Sequence, residues 1–240
     1  MPDTEKAYRF FSSGDLIRFR VREEESDLFI MSLKNLKKKS GRILHRLRKE
    51  LKKYIAKNPA FHTSLMPLPD DPSAPPVIRK MIEASRKARC GPMAGVAGAV
   101  AEFLGRELME ESPEIIVENG GDIFLASGRE RIIGLRSRAL SPFGIRIKPG
   151  DTPLGVCSSS SRLGHSVSFG KAELVTVISP DTALADCYAT SIANRIHSQE
   201  DLMRVIDEWR NKPGLTGILA VQESKVAFAG KIDFVSLTSD

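Results

Sequence analysis

Ile115-Ile116-Val117-Glu118-Asn119-Gly120-Gly121-Asp122-Ile123 runs an apolar, β-branched strand into Asn-Gly-Gly and out again into apolar residues. Asn-Gly and Gly-Gly supply positive φ angles at little steric cost, so the pattern predicts an antiparallel hairpin. Working outward, further short strands are expected at residues 131–135, 144–148, 174–179, 215–221 and 225–229. Helices are expected at 77–87, 92–110, 183–196 and 199–209, where apolar residues recur at three- and four-residue steps. Strands and helices mixed in this order predict an α+β protein with antiparallel or mixed sheet layers and packed helices.

Upstream, residues 16–21 and 28–31, joined by the acidic stretch 23–27, predict a second hairpin, with residues 8–11 read into its first arm. Leu33, Leu36, Ile43, Leu44, Leu47, Leu51, Tyr54 and Ile55 then form one apolar helical stripe that Asn58-Pro59 should end. The other face is basic. Residues 34–57 hold 11 Lys or Arg against the single Glu50, which leaves 25 basic and 29 acidic residues elsewhere. The net charge of +6 is therefore a local feature. It fits the solvated side of a docked helix better than a nucleic-acid surface, because Tyr54 is the only aromatic interleaved with it. A proline-rich connector, MPLPDDPSAPP at 66–76, separates this N-terminal part (1–65) from a ligand-binding core (77–240).

With 240 residues and 41% hydrophobic content the chain can bury a substantial core, and all of it (1–240) is read as one domain. No apolar run approaches the roughly 20 residues of a membrane span, and MPDTEKAYRF offers no signal-peptide core, so no membrane partner and a cytoplasmic location are expected. Cys90, Cys157 and Cys187 form no C-x-x-C pair and are expected to be reduced thiols.

Four segments can carry chemistry. Gly91-Pro92-Met93-Ala94-Gly95-Val96-Ala97-Gly98 strips one helix face of bulk: either close packing requires it, or free N–H groups near Gly91 receive a phosphate. Asn119, Gly120, Gly121 and Asp122 either close a hairpin or let backbone approach a ligand. Residues 155–161, with Cys157, Ser158, Ser159 and Ser160, read as a polar loop rich in donors for phosphate oxygens, followed by His165 as a proton shuttle or a structural histidine. Asp186 and Thr190 lie one helical turn apart, so they either converge on a hard cation such as Mg²⁺ or leave Asp186 near a positive helix end.

In this order the four segments resemble the ApbE-like superfamily, founded on the FAD:protein FMN transferases, over residues 77–196. Residues 117–123 are similar to that family's strand followed by Asn-x-Gly-Gly-Asp-Ile, and Ala185-Asp186 with Thr190 to its Ala-Asp-x-x-x-Thr. The resemblance implies that Asp186 and Thr190 are metal ligands, that residues 158–161 form a flavin-contacting loop, and that His165 takes part in transfer. Pro92-Met93-Ala94-Gly95 and Ser166-Val167-Ser168-Phe169-Gly170-Lys171 depart from the transferase motifs, and the whole set resembles a shorter branch of that superfamily tied to sulfide assimilation.

The expected function is binding of a phosphorylated small molecule, FAD or FMN with Mg²⁺, and cleavage of the FAD pyrophosphate or transfer of its FMN half to an acceptor protein. Gly91, Asn119, Gly120, Gly121, Asp122, Ser158, Ser159 and Ser160 would contact the ligand, Asp186 and Thr190 the metal, and His165 would move a proton. Two alternatives stay open: a thiol-based sulfur-handling protein centred on Cys157, or a non-catalytic ligand-binding protein.

Overall fold

In Ile17–Glu23 the buried Phe19 and Val21 alternate with arginines, the period of a strand covered on one face, and this segment is β1. Glu24, at φ 50°, turns the chain back into β2 (Ser26–Ser32), and Arg20 pairs with Asp27 across the hairpin. The computed structural model describes residues 14–135, 137, 140–160, 170 and 172–237. Residues 8–11 lie outside them.

The expected basic helix is α1 (Lys37–Lys57), with Ile43, Leu44, Leu47 and Leu51 buried. A short α2 (Pro59–Thr63) follows at once, because Pro59 suits a first helical turn as well as it ends the previous helix. The connector leads to α3 (Pro76–Ala88). The single helix expected over 92–110 is instead a 3₁₀ turn at Pro92–Gly95 and then α4 (Val96–Leu108). The Asn119-Gly120-Gly121-Asp122 turn joins β3 (Ile115–Asn119) to β4 (Asp122–Ala126), with φ of 68° at Gly120 and 124° at Gly121. β5 (Arg131–Leu135) and β6 (Phe143–Ile147) follow as expected.

One expectation fails here. The composition of residues 155–161 predicts a polar loop, yet Leu154–Ser159 is a strand, β7, hydrogen-bonded on both sides. Glycine, cysteine and serine carry little strand propensity, and pairing with two neighbours overrides it. The chain ends with β8 (Leu174–Ser179), α5 (Thr182–Ala193), α6 (Asp201–Trp209), β9 (Gly217–Gln222), β10 (Lys225–Gly230) and a short β11 (Phe234–Ser236).

Among the described residues, eight strands form one antiparallel sheet in the order β1-β2-β3-β4-β7-β8-β9-β10, and three form a second in the order β11-β6-β5. One face of the large sheet packs Leu28, Val117, Phe124, Cys157, Val177 and Ile218 against the helices. The other packs Ile116, Leu125, Val156 and Ile178 against Ile133, Ile145 and Ile147 of the small sheet. Three layers result, and because both faces of its centre are covered the inner strands are apolar throughout rather than alternating. The basic face of α1 is clipped to acids: Lys39 to Glu111 at 2.8 Å, Arg46 to Glu107, and Arg48 and Lys52 to the β1–β2 turn at Glu24. These pairs offset part of the local positive charge within the fold.

Candidate functional site

α4 and α5 run antiparallel at very close range. A side chain at Gly98 would place its Cβ 2.5 Å from the Thr182 carbonyl oxygen and 2.8 Å from the Asp186 Cβ, so glycine is required by the approach. At that distance each helix caps the other. Asp186 Oδ2 accepts the Gly98 N–H at 2.9 Å, within the first turn of α4, while Glu102 of α4 accepts the Thr182 N–H at 2.8 Å at the start of α5. Both carboxylates thereby satisfy amides that a helix start leaves without an internal partner.

The β3–β4 turn closes over the start of α4, where Asn119 Nδ2 donates to the Ala97 carbonyl at 3.1 Å. A Cβ at Gly120 would meet nothing within 4 Å, so backbone is open to approach there. Asp122, just after the turn, faces the same interior as Cys157 and Asp186. Burial pushes the Asp186 carboxyl well above the usual carboxylate range and the Asp122 charge pushes it further, against the Gly98 and Ala97 N–H groups. Two buried carboxylates within each other's field call for a proton or a cation between them.

Cys157 lies beside this pair and its thiol donates to the Thr182 carbonyl at 3.4 Å. It is fully buried, and burial together with the charges of Asp122 and Asp186 pushes the thiol well up. The expectation of a sulfur-handling site centred on Cys157 is therefore corrected: its thiol is buried beside two acids, and among the described residues no cation offsets them.

Of the expected site residues, the fold brings Asn119, Gly120, Gly121, Asp122, Cys157 and Asp186 to one end of the large sheet. Thr190, nearly buried, lies one turn beyond Asp186 on α5. The serines divide. Because β7 is a strand, Ser159 shares the helix-facing side with Cys157, whereas Ser158 points to the opposite face, where its hydroxyl meets Thr176 Oγ1 at 2.9 Å. The expected row of serines thus cannot act as one cradle; Ser160 follows the strand end, half-buried. Gly91 is also accounted for by packing, since a Cβ there would lie 1.8 Å from the Ser64 carbonyl oxygen. His165 lies outside the described residues. Sequence reasoning missed Glu102, which looks like any charged residue on an amphipathic helix; the glycine spacing that announces a close partner was the available signal.

The family model described as AbpE bacteria matches residues 8–208. A UPF0280 protein of Methanocaldococcus jannaschii is 41% identical over 203 residues, covering 81% of this chain and 82% of its own. One from Archaeoglobus fulgidus is 34% identical over 221 residues, covering 90% and 92%. Among solved structures the fold is similar to the flavin transferase ApbE of Vibrio cholerae, with a TM-score of 0.60 at 12% identity over 91% of this chain and 97% of that one. It is also similar to the ApbE protein of Thermotoga maritima, with a TM-score of 0.57 at 12% identity over 89% and 97%. At such identities the likeness is one of fold. The expected ApbE-like α+β architecture is the one observed.

Proposed function

The chain belongs to the AbpE bacteria family, and from that premise we propose that it binds a flavin nucleotide, FAD or FMN, together with Mg²⁺ where the β3–β4 turn meets α4 and α5. The observation that carries this reading is the buried pair Asp122 and Asp186 beside a glycine turn open to backbone approach. A Vibrio cholerae protein of the same fold is a flavin transferase, which supports the choice of ligand.

The donor set fits a hard cation in kind: the carboxylates of Asp122 and Asp186 and the hydroxyl of Thr190 all offer oxygen. Among the described residues no group of three or more His, Cys, Asp or Glu side chains gathers as a metal cage, so a bound ligand's phosphates and water must supply the remaining oxygens. When bound, Mg²⁺ would neutralise pyrophosphate charge. Asp186 and Thr190 hold the metal in this reading, Asp122 adds charge, and the Gly120 and Gly121 backbone approaches the phosphates with Ser159 and Ser160. His165 keeps its proton-transfer role on resemblance alone. Cleavage of FAD, or transfer of its FMN half to an acceptor protein, are the reactions such a site would serve.

The test is calorimetric titration of FAD into wild type and Asp186→Asn, each with and without Mg²⁺. Asn is chosen because it retains an oxygen for the Gly98 N–H. Wild type is expected to bind FAD about tenfold more tightly with Mg²⁺, and the variant to lose that gain. Equal binding in all four titrations sinks the metal; binding in none sinks the flavin.

A further inference from the structure

All three cysteines are free and buried, but their surroundings differ. Cys157 stands alone among thiols. Cys90 and Cys187, 97 residues apart in the chain, meet: the Cys90 thiol donates to the Cys187 carbonyl oxygen at 3.9 Å, which sets the two cysteines against each other. Three elements build this meeting. α3 ends at Arg89 in a left-handed conformation, φ 58°, and the Cys90 N–H bonds back to the Ser85 carbonyl at 3.1 Å, which fixes Cys90 against the helix end. Cys187 projects from α5. The 3₁₀ turn makes room for it, since a Cβ at Gly95 would lie 2.7 Å from Cys187 Sγ.

We propose that Cys90 and Cys187 form an oxidisable dithiol, at which a peroxide converts two free thiols into a reversible disulfide tying the end of α3 to α5. Packing of two small apolar side chains would explain burial, but it does not require that cysteines from segments so far apart in the chain share one contact. Cys90, 9% exposed against 0% for Cys187, meets the oxidant first. Its sulfur attacks one peroxide oxygen, the O–O bond breaks, and a sulfenic acid and water form. The Cys187 sulfur then attacks the sulfenic sulfur; the S–S bond forms, the S–O bond breaks, and a second water leaves with the Cys187 proton. Two thiols and one hydrogen peroxide thus give one disulfide and two waters. The bond would lie next to Asp186, so it would join the oxidation state of the pair to the stiffness of α5 at the carboxylate cluster. Nothing in this inference depends on flavin binding.

The full chain, purified reduced, is treated with equimolar hydrogen peroxide under native conditions, then unfolded, alkylated and mapped by mass spectrometry. The expected product is lighter by about 2 Da before alkylation, with a Cys90–Cys187 cross-linked peptide, an alkylated Cys157, and full reversal by dithiothreitol. Cys90→Ala and Cys187→Ala should each abolish the cross-link, and the wild-type map decides the matter even if a variant does not fold. Three free thiols after oxidation, a sulfinic acid accumulating on Cys90, or a cross-link that includes Cys157 would each overturn the proposal.

Discussion

Asp186 holds two places at once. Its carboxylate caps α4 through Gly98 and also faces Asp122, so the residue that looks from spacing like an open metal ligand is buried at 7% exposure. Spacing along a helix reveals which residues share a face, not what that face meets; here it meets another helix at glycine distance. The same enclosure governs Cys157. Iodoacetamide at neutral pH is expected to alkylate Cys157 in the folded protein at least about a hundredfold more slowly than in the urea-unfolded chain, because the reactive species is the thiolate and burial beside two acids disfavours it. Peptide mapping after timed quenches gives the rate. Fast native labelling would restore the sulfur-handling reading. Asn119, Gly120, Gly121 and Asp122 were legible because a turn has a local chemical signature; Glu102 was not, because its partner, the Thr182 N–H, comes from a helix 80 residues away.

Between elements, the decisive contact is α4 against α5. Gly98→Ala would replace glycine by a better helix former, a gain of about 1 kcal/mol on an isolated helix. In the fold the added Cβ must displace the Thr182 carbonyl oxygen, 2.5 Å away, and lengthen the Asp186 cap, an overpacking cost of about 1–3 kcal/mol or more. A net loss of about 1–2 kcal/mol is expected, read from urea midpoints with an unchanged slope. An unchanged or raised midpoint would mean that the helices separate freely and that the shared capping is weak. Elements whose pattern repeats were readable in advance: α1 from its apolar stripe, β8 from Leu174-Val175-Thr176-Val177-Ile178, α6 from Leu202, Val205, Ile206 and Trp209. β7 was not, since Gly-Val-Cys-Ser-Ser is made a strand by β4 and β8 on either side of it. Misreading that strand also misplaced the serines, because a loop can turn successive hydroxyls to one side and a strand cannot.

At the scale of the whole molecule, the small sheet must be held against the large one where the chain leaves β4 for β5, and a polar cluster does this beside the apolar interface. Arg131 is 3% exposed and bonds Ser127 Oγ at 2.9 Å, Asp15 at 2.8 Å and Glu114 at 2.8 Å, while the Gly128 N–H donates to Glu114 at 2.7 Å. The cluster thus ties the residues before β1, the entry to β3 and the start of β5. Burial pushes the Glu114 carboxyl up, but the hydrogen bonds from Ser127, Arg131 and Gly128 outweigh it and leave it below its ordinary 4.5. The Arg131 hydrogen bond likewise holds Asp15 below its ordinary 3.8. Carboxylates with lowered folded values contribute stability that is present above the unfolded values and lost as pH falls through the folded ones. Arg131→Met removes the shared partner and strands a buried acid, at a cost near neutral pH of about 3 kcal/mol, the lower end for a broken buried pair because Asp15 opens the cluster to water. The stability difference between wild type and variant should therefore be full at about pH 7 and shrink as pH is lowered past about 4.5, as protonation dissolves in wild type what the substitution has already removed. Urea unfolding of both proteins across that range measures it. A difference that stays constant with pH would assign the loss to packing of the arginine stem, and the cluster would then be a filler between the sheets rather than the charge-dependent link argued for it.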